Sequence, residues 1–214
     1  MEILERFKQI VSTKELNTVI EMGACDGTHS RIMLDILQGT GKKYTYHLFE
    51  PNADLLISIV DKIQYYLTSN GNNVKFYNEA IGATNGKTKF YKSDMNYYGS
   101  SSIRKPKKVL EGWKDMTFKD AVVDVITLDS HIKRSGFQER IIDFIWADIQ
   151  GAEVDLIKGG TEALKKVRYL YTEYVNAEFY ENQIGLPEIL ELLPNFELVE
   201  DYGGDVLLKN KNLQ

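Results

Sequence analysis

Short apolar runs alternate with amphipathic segments along most of this chain. Residues 2–13 place apolar side chains on one helical face, which predicts an opening helix. An apolar run that ends in Gly23 follows, as is typical of a buried strand that stops at a sharp turn. The same criteria predict strands at 44–49, 74–77, 144–148 and 169–174, and helices at 29–37, 53–67 and 154–166. This alternation predicts an α/β fold with a parallel sheet and helices on both faces.

The middle of the chain departs from this rhythm. Residues 87–91 and 122–128 are strand-like, and between them lies a polar and aromatic insertion, about residues 92–119. Near the end, Pro187 suits the first turn of a helix that reaches Leu193, and strands at 196–199 and 206–208 follow. Because the βα rhythm spans both ends, we expect one domain over residues 1–214.

The composition of the chain limits which partners it can bind and where in the cell it is expected. A chain of 214 residues can bury about 70% of its unfolded surface, enough for one substantial core. The 26 Lys and Arg residues against 31 Asp and Glu give a net charge of -5, which disfavours nucleic acid as a partner. No apolar run is long enough for a membrane span. The single cysteine, Cys25, excludes an internal disulfide, and we expect a reducing, cytoplasmic location.

Polar residues and glycines stand where the predicted strands end, which is where open α/β sheets bind ligands. The first strand ends in the run from Glu21 to Gly27, whose glycines permit a tight turn and close approach of a ligand. Cys25 replaces the second glycine of the G-x-G-x-x-G fingerprint, which disfavours an NAD-dependent oxidoreductase. Glu50, at the next strand tip, can accept hydrogen bonds from a ribose diol. Taken alone, the glycines could simply cap a strand and Glu50 could simply cap the next helix. Their occurrence together, in this order along the chain, indicates a nucleoside-binding site.

Six segments carry a resemblance to a known family: 19–28, 47–51, 80–82, 101–102, 126–129 and 148–159, the last reading DIQGAEVDLIKG. Over about residues 18–209 the chain resembles an FkbM-type S-adenosylmethionine-dependent methyltransferase. The resemblance implies a class I methyltransferase sheet, Rossmann-like, with seven mostly parallel strands, one of them antiparallel. It also implies O-methylation of a hydroxyl. Cys25 stands where the family commonly has Asn, and Gln150 where it commonly has Glu.

With this resemblance, we expect S-adenosylmethionine to be held by residues at the strand ends. The candidates for cofactor binding are Glu21, Gly23, Ala24, Asp26, Gly27, Ser30, Glu50, Pro51, Asn52, Glu79, Ala80 and Asp148. We predict no resident metal ion. Asp148 and Glu173 at adjacent strand tips leave a divalent cation as the alternative.

Methyl transfer to an alcohol is helped by a base that removes the hydroxyl proton. Asp148 is the first candidate, although it fits equally well as the N-cap of the next helix. Glu153 lies one helical turn further on and could instead favour the helix N-terminus electrostatically. His131 follows a predicted strand and is the third candidate, with a pKa suited to neutral pH.

The insertion is expected on the acceptor side of the site. Tyr97, Tyr98, Ser101, Ser102 and Trp113 could form a wall for a sugar, or could instead fill a small core under a long loop. We expect a small hydroxylated acceptor, a sugar or glycan, with a polyketide-type alcohol also possible. The alternative function is a non-catalytic nucleoside-binding module or partner subunit.

Overall fold

The structure, a computed structural model, describes residues 2–13, 16–68 and 71–213. Its helices are α1 (Ile3–Ser12), α2 (Thr28–Gly39), α3 (Leu56–Leu67), α4 (Val109–Gly112), α5 (Leu128–Arg134), α6 (Glu153–Gly159) and α7 (Leu186–Leu192). Its strands are β1 (Leu16–Met22), β2 (Lys43–Phe49), β3 (Asn73–Tyr77), β4 (Ala80–Ile81), β5 (Gly86–Ser93), β6 (Phe118–Ile126), β7 (Ile142–Ala147), β8 (Val167–Glu173), β9 (Phe196–Asp201) and β10 (Asp205–Asn210).

Seven strands form the main sheet, in the order β3-β2-β1-β7-β8-β10-β9. The pairs from β3 to β8 are parallel, and β10 runs antiparallel to both β8 and β9. The predicted α/β sheet with one antiparallel strand is therefore confirmed. Since β1 and β7 are central, their carboxyl ends lie side by side, with the end of β2 next to β1.

Helices cover both faces of this sheet, as the sequence pattern predicts. On one face α1, α2 and α3 pack their apolar side chains against β1, β2 and β7, for example Phe7 against Phe144 with ring centroids 5.0 Å apart. On the other face Leu128 of α5, Leu156 of α6 and Ile189 of α7 join a second core cluster. The two apolar layers fix the orientation of the central strands and hence the position of their polar ends.

A second, three-stranded sheet, in the order β4-β6-β5, was not predicted. Its main part is the antiparallel pair β5 and β6, which flanks the insertion. The predicted strand at 122–128 instead begins at Phe118 and ends at Ile126, where Thr127 caps α5 by accepting a hydrogen bond from the Ser130 amide at 3.1 Å. The predicted helix at 154–166 is shorter in the structure, because α6 ends at Gly159 and Gly160 follows it as the C-cap.

Candidate cofactor and acceptor site

The turn after β1 holds three strand ends together. The amides of Gly23 and Ala24 both donate to the Phe49 carbonyl oxygen, at 3.0 and 2.9 Å, and the Asp148 amide donates to the Met22 carbonyl at 2.9 Å. Gly23 has a φ of +85°, and a Cβ there would lie 1.8 Å from the Asp148 carbonyl oxygen. Only glycine fits this position, because any side chain would overlap the adjoining strand end.

Glu50 extends from the end of β2 toward this turn. Its Oε2 accepts a hydrogen bond from the Cys25 amide and its Oε1 one from the Asn52 amide, both at 2.8 Å. The side chain is 5% exposed, and burial raises its pKa to about 7 despite these two bonds. Each carboxylate oxygen has two acceptor positions, so Glu50 keeps capacity for hydroxyl donors from a ligand.

A cavity of about 520 Å³ opens above these strand ends. Such a volume lies in the range of small-molecule sites. Eight of the predicted cofactor-binding residues line it: Gly23, Ala24, Asp26, Glu50, Pro51, Glu79, Ala80 and Asp148. Phe49, Ile81, Phe90 and Ile149 add apolar surface to the lining. The cavity therefore combines an apolar wall with carboxylates that follow four different strands: Asp26 after β1, Glu50 after β2, Glu79 after β3 and Asp148 after β7.

The other predicted cofactor-binding residues lie behind the cavity lining. Glu21 is 1% exposed and accepts hydrogen bonds from Ser30 Oγ at 2.5 Å and the Tyr46 hydroxyl at 2.8 Å. Gly27 faces α3, where a Cβ would lie 3.0 Å from Ile59 Cα. The Asn52 side chain accepts from the Asp54 amide at 3.2 Å and so caps the turn before α3. These residues support the turns that shape the cavity.

Asp148 reaches the cavity from the end of β7 and is linked to a neighbouring carboxylate through Gln150. The Gln150 Nε2 donates to Asp148 Oδ1 at 2.7 Å and to Glu173 Oε2 at 2.8 Å. Burial raises the pKa of Asp148, while the Gln150 hydrogen bond and the nearby His29 oppose that shift. Burial and the proximity of Asp148 likewise raise the pKa of Glu173.

Glu153, the second base candidate, begins α6 beneath the cavity. It is 2% exposed, lies outside the cavity lining, and its oxygens have no side-chain hydrogen-bond partner among the described residues. Burial raises its pKa to about 8, and Asp148 adds to the shift. The Glu153 carboxyl therefore interacts electrostatically with Asp148 but does not line the cavity.

His131, the third base candidate, points into the core. It lies on α5, is 0% exposed, and its Nε2 is 2.9 Å from Nδ1 of His47. Burial lowers the pKa of His131 to about 3 and that of His47 to about 4, so both rings are neutral near pH 7. Because the ring does not line the cavity, we remove His131 from the candidate bases.

The insertion contributes one wall of the cavity. Tyr97 and Tyr98 line it, together with the serines that follow. The Ser102 hydroxyl, however, donates to the Gln150 carbonyl at 2.7 Å, and Ser101 shares a 2.9 Å hydrogen bond with Ser93. Trp113 instead packs on Phe179, with ring centroids 6.0 Å apart. Of the predicted wall, the two tyrosines remain the side chains open to a ligand.

His29 and Gln150 are two of the cavity residues that were not predicted as site residues. His29 lies in the first turn of α2, is exposed, and lines the cavity near Asp148. Gln150 was noted only as a departure from the family pattern. The position of His29 directly after the glycine turn is the signal that could have indicated it, because that turn aims the start of α2 at the strand ends.

The strand order of the main sheet, with β10 as its antiparallel strand and a cavity at the central strand ends, defines a class I methyltransferase fold. Several solved structures are similar to it, including the following two. Methyltransferase FkbM from Methylobacillus flagellatus KT has a TM-score of 0.58 and 16% identity, covering 91% of this chain and 44% of that one. The METTL16 methyltransferase domain has a TM-score of 0.51 and 10% identity, covering 97% of this chain and 65% of that one. This chain thus spans less than two thirds of either.

Sequence comparison identifies the family. The model of the methyltransferase FkbM domain matches residues 21–203. The 2-O-methyltransferase NoeI of Sinorhizobium fredii (strain NBRC 101917 / NGR234) is 34% identical over 222 residues, which cover 98% of this chain and 87% of that protein. The chain belongs to the FkbM methyltransferase family and is a methyltransferase. No described helix is long and apolar enough to cross a membrane.

Proposed function

We propose that this methyltransferase moves a methyl group from S-adenosylmethionine to a hydroxyl of a sugar or glycan, and that Asp148 accepts the hydroxyl proton. The observation that carries the proposal is that Glu50 and Asp148 line one cavity from the ends of two strands that flank β1. One carboxylate is thus available for a ribose diol and the other for the reacting hydroxyl. The relative NoeI is named as a 2-O-methyltransferase, which supports oxygen as the methylated atom.

The cavity's groups suit S-adenosylmethionine. Glu50 provides acceptors for the ribose hydroxyls, while Phe49, Ile81 and Ala80 provide an apolar surface for a base ring. Asp26 lines the same cavity and is itself fixed by Lys62, whose Nζ lies 3.0 Å from Asp26 Oδ2. When bound, this cofactor supplies a methyl group on a positively charged sulfur, an electrophile that a nearby carboxylate stabilises electrostatically.

Asp148 is the residue that we assign to proton removal. An alcohol becomes a good nucleophile as its proton leaves, and a positioned base contributes about 10²–10⁴ to the rate. The proton of the acceptor hydroxyl would pass to an Asp148 carboxylate oxygen, while bound S-adenosylmethionine would supply the methyl group to the hydroxyl oxygen and leave as S-adenosylhomocysteine. Because burial raises the pKa of Asp148, its carboxylate is a stronger base than an exposed aspartate.

A sugar acceptor agrees with the groups that remain at the cavity rim. Tyr97 and Tyr98 offer aromatic rings, and His29 and Asn96 offer polar side chains. Aromatic faces with a few convergent polar groups suit a small polyhydroxylated molecule. The same rim would accept the alcohol of a polyketide less readily, since several of its hydrogen-bonding groups would lose contact with water without a partner.

The experiment is methyl transfer from methyl-labelled S-adenosylmethionine to a panel of sugars, oligosaccharides and aliphatic alcohols, read by mass. The proposal expects a gain of one methyl group on a sugar and none on the corresponding sugar that lacks the methylated hydroxyl. The first pair to compare is a sugar and its 2-deoxy form, because the relative is named for position 2. Labelling only of non-sugar alcohols, or of none, would refute the assignment of the acceptor.

A further inference from the structure

Gln150 lies in the turn from β7 to α6 in a backbone conformation that is unusual for a residue with a side chain. Its φ is +50°, in the left-handed region. Its carbonyl oxygen accepts the hydrogen bond from Ser102, a residue that is 2% exposed. At the following Gly151, a Cβ would lie 2.8 Å from Tyr180 Cβ. The turn is thus fixed from two sides, and a strained position held in this way at a site suggests a functional reason.

The side chain of Gln150 ends between two carboxylates. Its amide nitrogen carries two protons, and it donates to Asp148 Oδ1 at 2.7 Å and to Glu173 Oε2 at 2.8 Å. Among the described residues, no other side chain donates to either carboxylate. Two carboxylate oxygens on one nitrogen are close enough that ionising both is unfavourable.

We propose that Gln150 is a positioning residue whose amide fixes Asp148 and Glu173 as a pair that shares one proton, with Asp148 as the member that faces the cavity. This inference rests on the proposed role of Asp148 and deepens it. Glu173 lies outside the cavity lining, so it is suited to hold the proton while Asp148 stays ionised. The donor between them also lowers the free energy of the ionised form.

The surroundings of the pair are mostly acidic. The titratable groups that face Asp148 come from the β1 turn, β2, α2, α6, β8, β10 and the segment before α7: Glu21, Cys25, Glu50, His29, Glu153, Glu173, Tyr171, Asp205 and Tyr180. Among these described groups, His29 is the one basic side chain. A neutral donor at position 150 therefore adds no further negative charge to this cluster, whereas the glutamate common in the family would.

Two substitutions test this role directly. Gln150→Met keeps the length of the side chain and removes both donors, and Gln150→Glu adds a carboxylate. The matched control is Gln64→Glu on the exposed side of α3, which makes the same charge change away from the cavity. Protein with ¹³C-labelled Asp and Glu carboxyls is titrated by NMR from pH 4 to 10, without cofactor or acceptor. Asp148→Asn and Glu173→Gln assign the two signals.

We expect the wild-type signals of Asp148 and Glu173 to titrate as a coupled pair. The lower midpoint should rise by about one pH unit or more in Gln150→Met, since the ionised form loses its donor, and in Gln150→Glu through like-charge repulsion. Gln64→Glu should leave it unchanged. If the methionine variant does not fold, the glutamate variant decides. Unchanged midpoints in the folded variant would overturn the proposal.

The NMR titration tests the role of Gln150, and the methyl-transfer assay tests the proposed function, so either proposal can be refuted without the other. If the midpoints shift as expected and no acceptor is methylated, Gln150 positions the pair and the proposed function is wrong. If a sugar is methylated and the midpoints do not move, the proposed function stands and Gln150 has only a structural role. In an active protein, the acidic limb of the pH–rate profile should move upward with the NMR midpoint.

Discussion

Glu50 allows the clearest test of cofactor binding, because Glu50→Gln changes its charge and little of its shape. The two carboxylate oxygens each hold one backbone amide, and a glutamine can accept only one of those bonds. Charge-assisted bonds to ribose contribute about 1.5–3 kcal/mol each, so losing them should weaken S-adenosylhomocysteine binding at least about tenfold at pH 8. Isothermal calorimetry measures this, with Glu191→Gln on exposed α7 as the matched control.

The raised pKa of Glu50 adds a pH dependence with a defined sign. Burial moves its pKa from 4.5 to about 7, so its stabilising contribution is complete below pH 4.5 and is lost as the pH rises through 7. At about 1.4 kcal/mol per unit, this amounts to about 3 kcal/mol. In Glu50→Gln one of the two backbone amides has no acceptor, so this variant should be less stable than wild type at pH 5. At pH 8, where wild type has lost the contribution of Glu50, the difference in stability should be smaller.

Ligand binding should show the opposite trend for wild type. The ionised Glu50 is the better acceptor, so wild-type affinity should fall between pH 8 and pH 6, and Glu50→Gln should lack this part of the pH dependence. A dissociation constant for Glu50→Gln within about twofold of wild type at pH 8 would contradict the reasoning. Glu50 would then serve only to hold the Cys25 turn.

Two further substitutions test the packing beneath the site. Glu153→Gln should raise the melting temperature at pH 9 and much less at pH 5. The reason is that the pKa of Glu153 is about 8, so the wild-type protein loses stability as the pH rises through 8. An equal effect at both pH values, measured by calorimetry, would argue against a buried ionisation. Gly23→Ala should lower the free energy of unfolding by at least about 3 kcal/mol in a denaturant titration, since the new Cβ would overlap the Asp148 carbonyl. In the control Gly39→Ala the new Cβ meets no atom within 4 Å, so the free energy of unfolding should be unchanged or rise by about 0.4–1 kcal/mol. Similar stabilities of the two variants would refute the close approach at Gly23.

The main sheet could be predicted because its signals are local. Residues 144–147 of the buried strand β7 form a continuous apolar run, and the glycines after β1 mark a turn that few other residues could make. The small sheet of β4, β5 and β6 could not, because β5 and β6 are half-exposed and gain stability mainly from pairing with each other.

Some residues of the candidate site could likewise be predicted from the sequence, and others could not. Gly23, Glu50 and Asp148 follow from strand ends, which meet at one edge of a parallel sheet. His131 was misplaced because the sequence reading extended the strand through Leu128 and missed α5, the helix that turns this side chain toward His47. Gln150 was beyond local reasoning, since its role depends on Glu173 reaching the same nitrogen from a different strand.

The turnover of Asp148→Asn is the most direct test of Asp148 as the base. With a sugar acceptor and S-adenosylmethionine both saturating, we predict a turnover about 10²–10⁴ lower than wild type, little change in melting temperature, and normal turnover for the exposed control Asp61→Asn. Asparagine keeps the shape and the hydrogen bond with Gln150 can reorganise around its amide, but it cannot take the hydroxyl proton. Wild-type turnover in Asp148→Asn would contradict the assignment of Asp148 as the base.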